Sequence, residues 1–357
     1  MTDLPHLLIP PQSKGHTSVV RLLDQWYVIC AAKSLGKQPI SRRILGIPMV
    51  LFRTDNGTPA ALLDRCPHRN VPLSLGKVIE NQVECPYHGW RFNSDGRCTH
   101  VPGLCREGGG KGRQVSQFPC LEQDGFIWVY PAGGTPSTAP FRFPLLDQPD
   151  YLSIRRSLSA EGTLHAVIEN ALDVPHTAYI HKNLFRKSED SNEIEVVVRR
   201  KQDRVEAEYI GEPRPSGLIG RILSPSGGIV SHYDRFILPS ILQVEYQIGD
   251  ENHILVTAAC TPESDFVTHL HAVIAIRSRI PSWIIRMMIP LGLGVFKQDA
   301  VILKAQTETI RAFGGEQFVS TEIDILGPQI WRLLRAAERG QLDDMLPAEE
   351  KRLTLRA

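Results

Sequence analysis

The chain has 357 residues, long enough for two domains at the usual ~100 to 200 residues each. It is 42% hydrophobic and 22% charged, and 40 basic residues against 39 acidic leave a formal charge of +1. That balance argues against disorder and against electrostatic capture of nucleic acid, and favours a protein that handles a small molecule.

The opening "MTDLPHLLIPPQSKGH" puts Asp3 where a signal peptide needs basic residues, and its apolar run is shorter than an h-region of ~7 to 15. Residues 1–20 are read as a flexible N-terminus and the protein as cytoplasmic. Seven cysteines without an export signal point to metal binding or burial rather than a disulfide scaffold.

From about Trp26 to Tyr130, short apolar runs such as "WYVIC", "IPMVLF" and "GFIWVY" alternate with the turn signals "DNG", "NSDG" and "QDG". This spacing predicts a small antiparallel β domain over 21–140. The stretch "PAGGTPSTAPFRFPLLDQP" carries the proline and glycine content of a boundary. Beyond it, over 141–357, come a short helix around "HAVIENALD", then strands such as "IEVVVRR", "IVSHYDRFIL" and "THLHAVIAI". Helices follow from about Pro281, and strands followed by helices predict an α+β domain with an antiparallel sheet covered by helices.

Within the first domain, "CPHRN" supplies Cys66 and His68, and "CPYHGW" supplies Cys85 and His88. Each limb offers one thiolate and one imidazole, and two such limbs can present four ligands to one metal centre. Zinc fingers pair like with like along the chain. Mixed limbs suit instead a [2Fe-2S] centre with both cysteines on one iron and both histidines on the other.

In the second domain "NALDVPHTAYIH" sets Asp173, His176 and His181 in an apolar frame, where unpaired polar groups are costly. Asp173 and His176 share a helix face, whereas His181 lies about 140° around an ideal helix from His176. Pro175 opposes a continuous helix, and a break there lets both imidazoles converge. Two histidines and one carboxylate would hold a non-haem Fe(II) with positions left for O2. The carboxylate candidates are Asp173, Glu169 and the distant Asp299 of "VFKQDAVILKAQ". His165, Glu169 and Asn170 stand close enough in sequence to touch such a site.

Three other stretches carry less. "REGGGKGRQ" (106–114) lacks the features of a phosphate-binding loop and reads as a surface loop. "RRK" (199–201) is a solvated charge run or a dock for an acidic electron donor. The apolar tract 280–296, "IPSWIIRMMIPLGLGVF", is too short and too interrupted to span a bilayer. It is read as core, as the lining of a greasy pocket, or as a peripheral membrane contact.

The two cysteine–histidine limbs, with "DRCPHRNVPLSLGKV" and "CPYHGWRFNSDGRC", resemble the cluster motif of Rieske-type non-haem iron oxygenases. "NALDVPHTAYIH" is similar to that family's D-x-x-H-x-x-x-x-H motif. The resemblance implies an N-terminal all-β Rieske domain and a helix-grip, START-like catalytic domain. It implies His176, His181 and Asp299 as ligands of a mononuclear Fe(II), with Asp173 bridging from an iron-bound histidine to a cluster histidine of a neighbouring subunit. It further implies a terminal oxygenase using O2, a homotrimer, and electrons from a separate NAD(P)H-dependent reductase, with or without a ferredoxin. The extra cysteines of respiratory Rieske proteins are absent, their places held by Asn70 and Tyr87. A bulky apolar substrate such as a sterol or another polycyclic is expected, to be hydroxylated, demethylated or desaturated. The alternatives are an aromatic-compound oxygenase and a pure Rieske electron carrier.

Overall fold

The computed structural model describes residues 17–105, 110–181, 193–211, 230–249, 252–342 and 348–356. Most of the expected flexible N-terminus and residues 106–109 of the glycine-rich loop lie outside them. The described chain forms two compact units: Arg21–Arg142 with Thr261–Ser264, and Phe143–Cys260 with Asp265–Ala357 and the described end of Pro11–Val20.

The first unit is all β apart from two short turns of 3-10 helix. Its strands are β1 (Tyr27–Ala31), β2 (Ile40–Ile44), β3 (Ile47–Arg53), β4 (Pro59–Leu63), β5 (Lys77–Ile79), β6 (Gln82–Glu84), β7 (Arg91–Phe92), β8 (Cys98–His100), β9 (Gln117–Phe118), β10 (Cys120–Gln123) and β11 (Phe126–Val129). They make three sheets, ordered β1-β11-β10, β2-β3-β4-β9 and β5-β6-β7-β8. Met49, Leu51, Phe52, Val83, Phe92 and Phe118 fill one core that also receives Cys66 and Cys85. Each such side chain stabilises by roughly 1.5–3 kcal/mol on burial, enough to hold short strands that would not persist alone.

The second unit is an eight-stranded antiparallel sheet with helices. Its strands are β12 (Leu152–Glu161), β13 (Glu193–Arg200), β14 (Arg204–Ile210), β15 (Val230–Ile237), β16 (Ile241–Ile248), β17 (Asn252–Ser264), β18 (Val267–Arg277) and β19 (Glu349–Arg356). The order is β12-β18-β17-β16-β15-β14-β13-β19. Alternation is clear in β14, where Val205, Ala207 and Tyr209 are buried and Arg204, Glu206 and Glu208 are not. Period-2 burial of this kind fixes which face meets the helices.

Among the described residues four helices accompany the sheet: α1 (Leu164–Ala171), α2 (Thr177–Ile180), α3 (Ser282–Phe313) and α4 (Gly327–Glu338). Ile330, Leu333 and Leu334 of α4 are wholly buried. Arg200 Nη1 on β13 donates to Gln329 Oε1 at 2.8 Å, marking the sheet face on which α4 lies. The tract 280–296 forms the first half of α3 and contains Pro290; Trp283 and Met287 are exposed on it. Among the described residues no helix is long and apolar enough to cross a membrane.

Candidate metal centres

The two cluster limbs form the same turn twice. Asn70 N–H donates to the Cys66 carbonyl (2.9 Å) and Cys66 N–H to the Val71 carbonyl (2.9 Å). In the second limb, Gly89 N–H donates to the Cys85 carbonyl (3.1 Å) and Cys85 N–H to the Trp90 carbonyl (2.8 Å). Both turns need a left-handed residue at the same place, and Asn70 (φ 63°) and Gly89 (φ 68°) supply it, as the residue types that tolerate it best. Arg65 Nε clamps Asn70 Oδ1 at 2.7 Å. At Gly89 a Cβ would come within 2.9 Å of the Pro102 ring, so glycine also serves a close approach.

These turns bring the four predicted side chains together. Cys66 and Cys85 are buried and interact through their thiols, while the rings of His68 and His88 lie 4.5 Å apart. Trp90 stacks on His68 at 4.7 Å and 4°. Burial, reinforced by Cys85, pushes the Cys66 thiol up to about 11 against backbone hydrogen bonds at His68 and Arg69. Partial burial and the charges of His88 and Arg69 hold His68 below its ordinary value. His68 Nδ1 is buried and without a hydrogen-bond partner. Two adjoining buried thiols and an imidazole whose buried Nδ1 lacks a partner are what an iron–sulfur cluster resolves, because a bound metal would take the thiolates and the ring nitrogen. The donor set fits the cluster. Cys98 and His100 repeat the first limb's spacing, but the Cys98 thiol donates to the His100 carbonyl (3.6 Å).

The second constellation sits in the other unit. Thr163 caps α1, its Oγ1 accepting from Ala166 N–H at 3.1 Å, and the helix stops at Leu172. Pro175 occupies the turn before α2, at whose end His181 stands. The break sends His176 and His181 toward one point, with ring centroids 5.3 Å apart. Asp299, in the middle of α3, completes the set: its Oδ1 lies 3.5 Å from His176 Nε2 and 3.1 Å from His181 Nε2. These three residues have ligand atoms within 4.8 Å of one another.

Hydrogen bonds on the far ring nitrogens decide what the near ones offer. Asp173 Oδ2 accepts from His176 Nδ1 at 3.0 Å and from the His176 amide at 3.1 Å. Gln298 Oε1 lies 2.8 Å from His181 Nδ1. In neutral imidazoles with the proton on Nδ1, both Nε2 atoms present lone pairs to a carboxylate oxygen. Three acceptors facing one another repel unless a cation lies among them, and His176 Nε2 and Asp299 Oδ1 indeed have no hydrogen-bond partner. Burial opposes an imidazolium at His176, but Asp173 and Asp299 outweigh it and push the group up to about 9. The same two carboxylates that favour a proton there favour a metal ion. The donor set, two imidazoles and a carboxylate, fits Fe(II).

Of the carboxylates left open by spacing, Asp299 faces both histidines, Asp173 holds His176 from behind, and Glu169 stands one turn back on α1. Gln298 directly precedes Asp299 in the chain, and only the tertiary fold reveals its contact with His181. Asp173, His176, Glu169 and Asn170 line a cavity of about 680 Å³, with Phe318, Ile323 and Trp331 among its apolar walls. His165 also lines it. In the "RRK" run, Arg199 pairs with Glu208 (2.7 Å) and Arg200 with Glu349 (2.9 Å), so both charges are used within the sheet.

Comparison with known proteins agrees with this division. Residues 25–119 match the Rieske [2Fe-2S] domain family, and residues 161–339 match the vanillate O-demethylase oxygenase C-terminal domain. The oxygenase component of chloroacetanilide N-alkylformylase from Rhizorhabdus wittichii is 33% identical over 70% of this chain and 74% of its own length. The vanillate O-demethylase oxygenase subunit of a Pseudomonas species is 28% identical over 91% of this chain and 98% of its own. Other matches are partial: the aligned part spans 25% of chlorophyllide a oxygenase from Chlamydomonas reinhardtii, at 39% identity over 46% of this chain. Among solved structures, dicamba monooxygenase bound to dicamba superposes with a TM-score of 0.74 at 23% identity, covering 91% of this chain and all of that one. The chain belongs to the Rieske-type non-haem iron oxygenases, as an oxygenase component, and its cofactors are a Rieske [2Fe-2S] cluster and a mononuclear iron.

Proposed function

We propose that this protein is the terminal oxygenase of a multicomponent system, taking electrons from a separate NAD(P)H-dependent reductase to oxidise a bulky apolar substrate. The observation that carries this reading is the triad His176, His181 and Asp299, because a pure electron carrier needs none of the three. Cys66, His68, Cys85 and His88 would hold the cluster and the triad the mononuclear iron. Together the two centres supply the two electrons that O2 activation requires.

The chain's own residues prepare the site. Asp173 fixes the His176 ring and its tautomer, and Gln298 does the same for His181, as partners of metal-bound histidines commonly do. Asp299 contributes the one carboxylate facing both rings. We infer that Asp173 is also the bridge to a cluster histidine of a neighbouring subunit in a head-to-tail trimer, a reading that rests on family resemblance.

For substrate, the relatives named as O-demethylase and N-alkylformylase favour an aromatic compound bearing an O- or N-alkyl group, with oxidative dealkylation as the reaction. The cavity of about 680 Å³, with His176 in its wall, suits a substrate at or above ordinary ligand size. From α3 the cavity is walled by Ile302 and Leu303, just past Asp299, which favours a lipophilic body.

The test reconstitutes the iron-loaded protein with a surrogate reductase and NADH. It screens methoxylated and N-alkylated aromatics beside sterols and other polycyclics, reading aldehyde or hydroxylated product against O2 uptake. Coupled product from an alkylated aromatic is expected. A sterol product would redirect the substrate assignment, and no coupled product from any member would sink the oxygenase reading.

A further inference from the structure

His165 and Glu169, on α1 in the wall of the cavity that also holds Asp173, form a pair that the proposed reaction does not use. His165 is 5% exposed, and its Nε2 lies 2.9 Å from the Gly327 carbonyl. A carbonyl only accepts, so Nε2 carries the proton and Nδ1 of the neutral ring presents a lone pair. That Nδ1 is buried with no hydrogen-bond partner, and Glu169 Oε2 stands 3.9 Å from it. A lone pair facing an ionised carboxylate is repelled by it. Facing a carboxylic acid, it can take a hydrogen bond after a small side-chain adjustment.

The position is purpose-built around the carboxyl. A Cβ at Gly327 would fall 1.7 Å from Glu169 Oε1, so the first residue of α4 must be glycine for Glu169 to lie there. The charged and titratable groups around it are mostly acidic. Asp173 stands four residues on, just past the end of α1, and Asp324 lies in the segment before α4. Glu316 of the same segment is held by the Ser18 amide and hydroxyl. Arg332 and Tyr209 share the cavity wall, and among the described residues Arg332 makes no ion pair with Glu169.

We propose that Glu169 is a positioning residue whose carboxyl, held between His165 and Gly327, supports turnover in its protonated form, in which Asp173 is the lone anion behind His176. Ionising Glu169 would set a second negative charge four residues from Asp173 and disturb the hold on His176. Burial first, then Asp173 and Asp324, pushes Glu169 up to about 7, in keeping with this. Burial also holds His165 below its ordinary value, which opposes the alternative of an imidazolium paired with a carboxylate. The role rests on the oxygenase reading above; the protonation state does not.

Glu169→Gln, which keeps shape and a neutral donor, tests both parts. The folded value lies above the unfolded one near 4.5, so folding takes up a proton between roughly pH 4.5 and 7. Wild-type stability therefore falls across that window as pH rises, and Glu169→Gln lacks this loss. Melting temperatures of cluster- and iron-loaded wild type and variant are expected to differ at pH 8 by more, in the variant's favour, than at pH 4. Parallel curves would overturn the protonation.

In single turnovers of pre-reduced, iron-loaded protein, wild-type product formation is expected to fall on the alkaline side of about pH 7 and the variant's to stay level. An unchanged alkaline fall in the variant, or a tenfold loss at pH 6 with iron retained, would overturn the role. Absence of wild-type product at pH 6 would instead strike the oxygenase reading, and the melting comparison would still judge Glu169.

Discussion

His176 and His181 are five residues apart, yet each has its Nδ1 tied to a neighbour and its Nε2 turned to the same Asp299 oxygen. Asp299 and Asp173 therefore have separable jobs, and substitution should separate them. Asp299→Ala removes the proposed carboxylate ligand and is expected to leave only the cluster's pair of irons in each chain, with the visible spectrum of the cluster intact; metal analysis reads the result. Asp173→Asn leaves all three ligands in place but weakens the acceptor for His176 Nδ1. Iron content is expected to hold while turnover falls roughly 10–100-fold, the usual cost of losing a partner of a metal-bound histidine. If iron were lost from Asp173→Asn and kept in Asp299→Ala, the two assignments would have to be exchanged.

At the scale of elements, α1 and its abrupt end decide whether the ligands converge. Thr163 holds the start of α1 through Ala166 N–H, and its hydroxyl also meets Ser18 Oγ at 2.8 Å in a buried position. Thr163→Ala removes the cap and leaves Ser18 short of one partner. A loss of about 1–2 kcal/mol is expected, read as a lower urea midpoint at unchanged slope. The break after α1 was legible in the sequence because Pro175 states it locally, and the cluster limbs were legible because the cysteine–histidine spacing is a local feature. Contacts made between distant segments were not. Gln298 acquires its role only when α3 passes α2, and Gly327 matters only because α4 begins against Glu169. Strand β19, "EEKRLTLR", is rich in charge, and it pairs with β13, where Glu349 meets Arg200 and Glu350 meets Arg199. Its charges are cross-strand partners, a pattern invisible until the partner strand is known.

The proposed cluster ligands belong to one unit of the fold and the proposed mononuclear site to the other, so on that reading electrons pass between separately built centres. A carboxylate such as Asp173, tied by one oxygen to a ligand histidine, can serve a second histidine from another chain with its remaining oxygen. If the productive pair of centres lies in neighbouring subunits, chains damaged at different centres will complement one another. Asp299→Ala retains a cluster but no mononuclear iron, and Cys85→Ser retains the triad but no cluster. Each homo-oligomer is expected to be inactive with reductase and substrate. Co-expressed with separate affinity tags and purified for oligomers carrying both, they are expected to recover the fraction of wild-type turnover that random assortment of neighbours allows. Mixed oligomers that form in full yield, with iron retained, and still show no turnover would place the coupled centres within one chain. Asp173 would then lose the bridging role assigned to it while keeping its hold on His176.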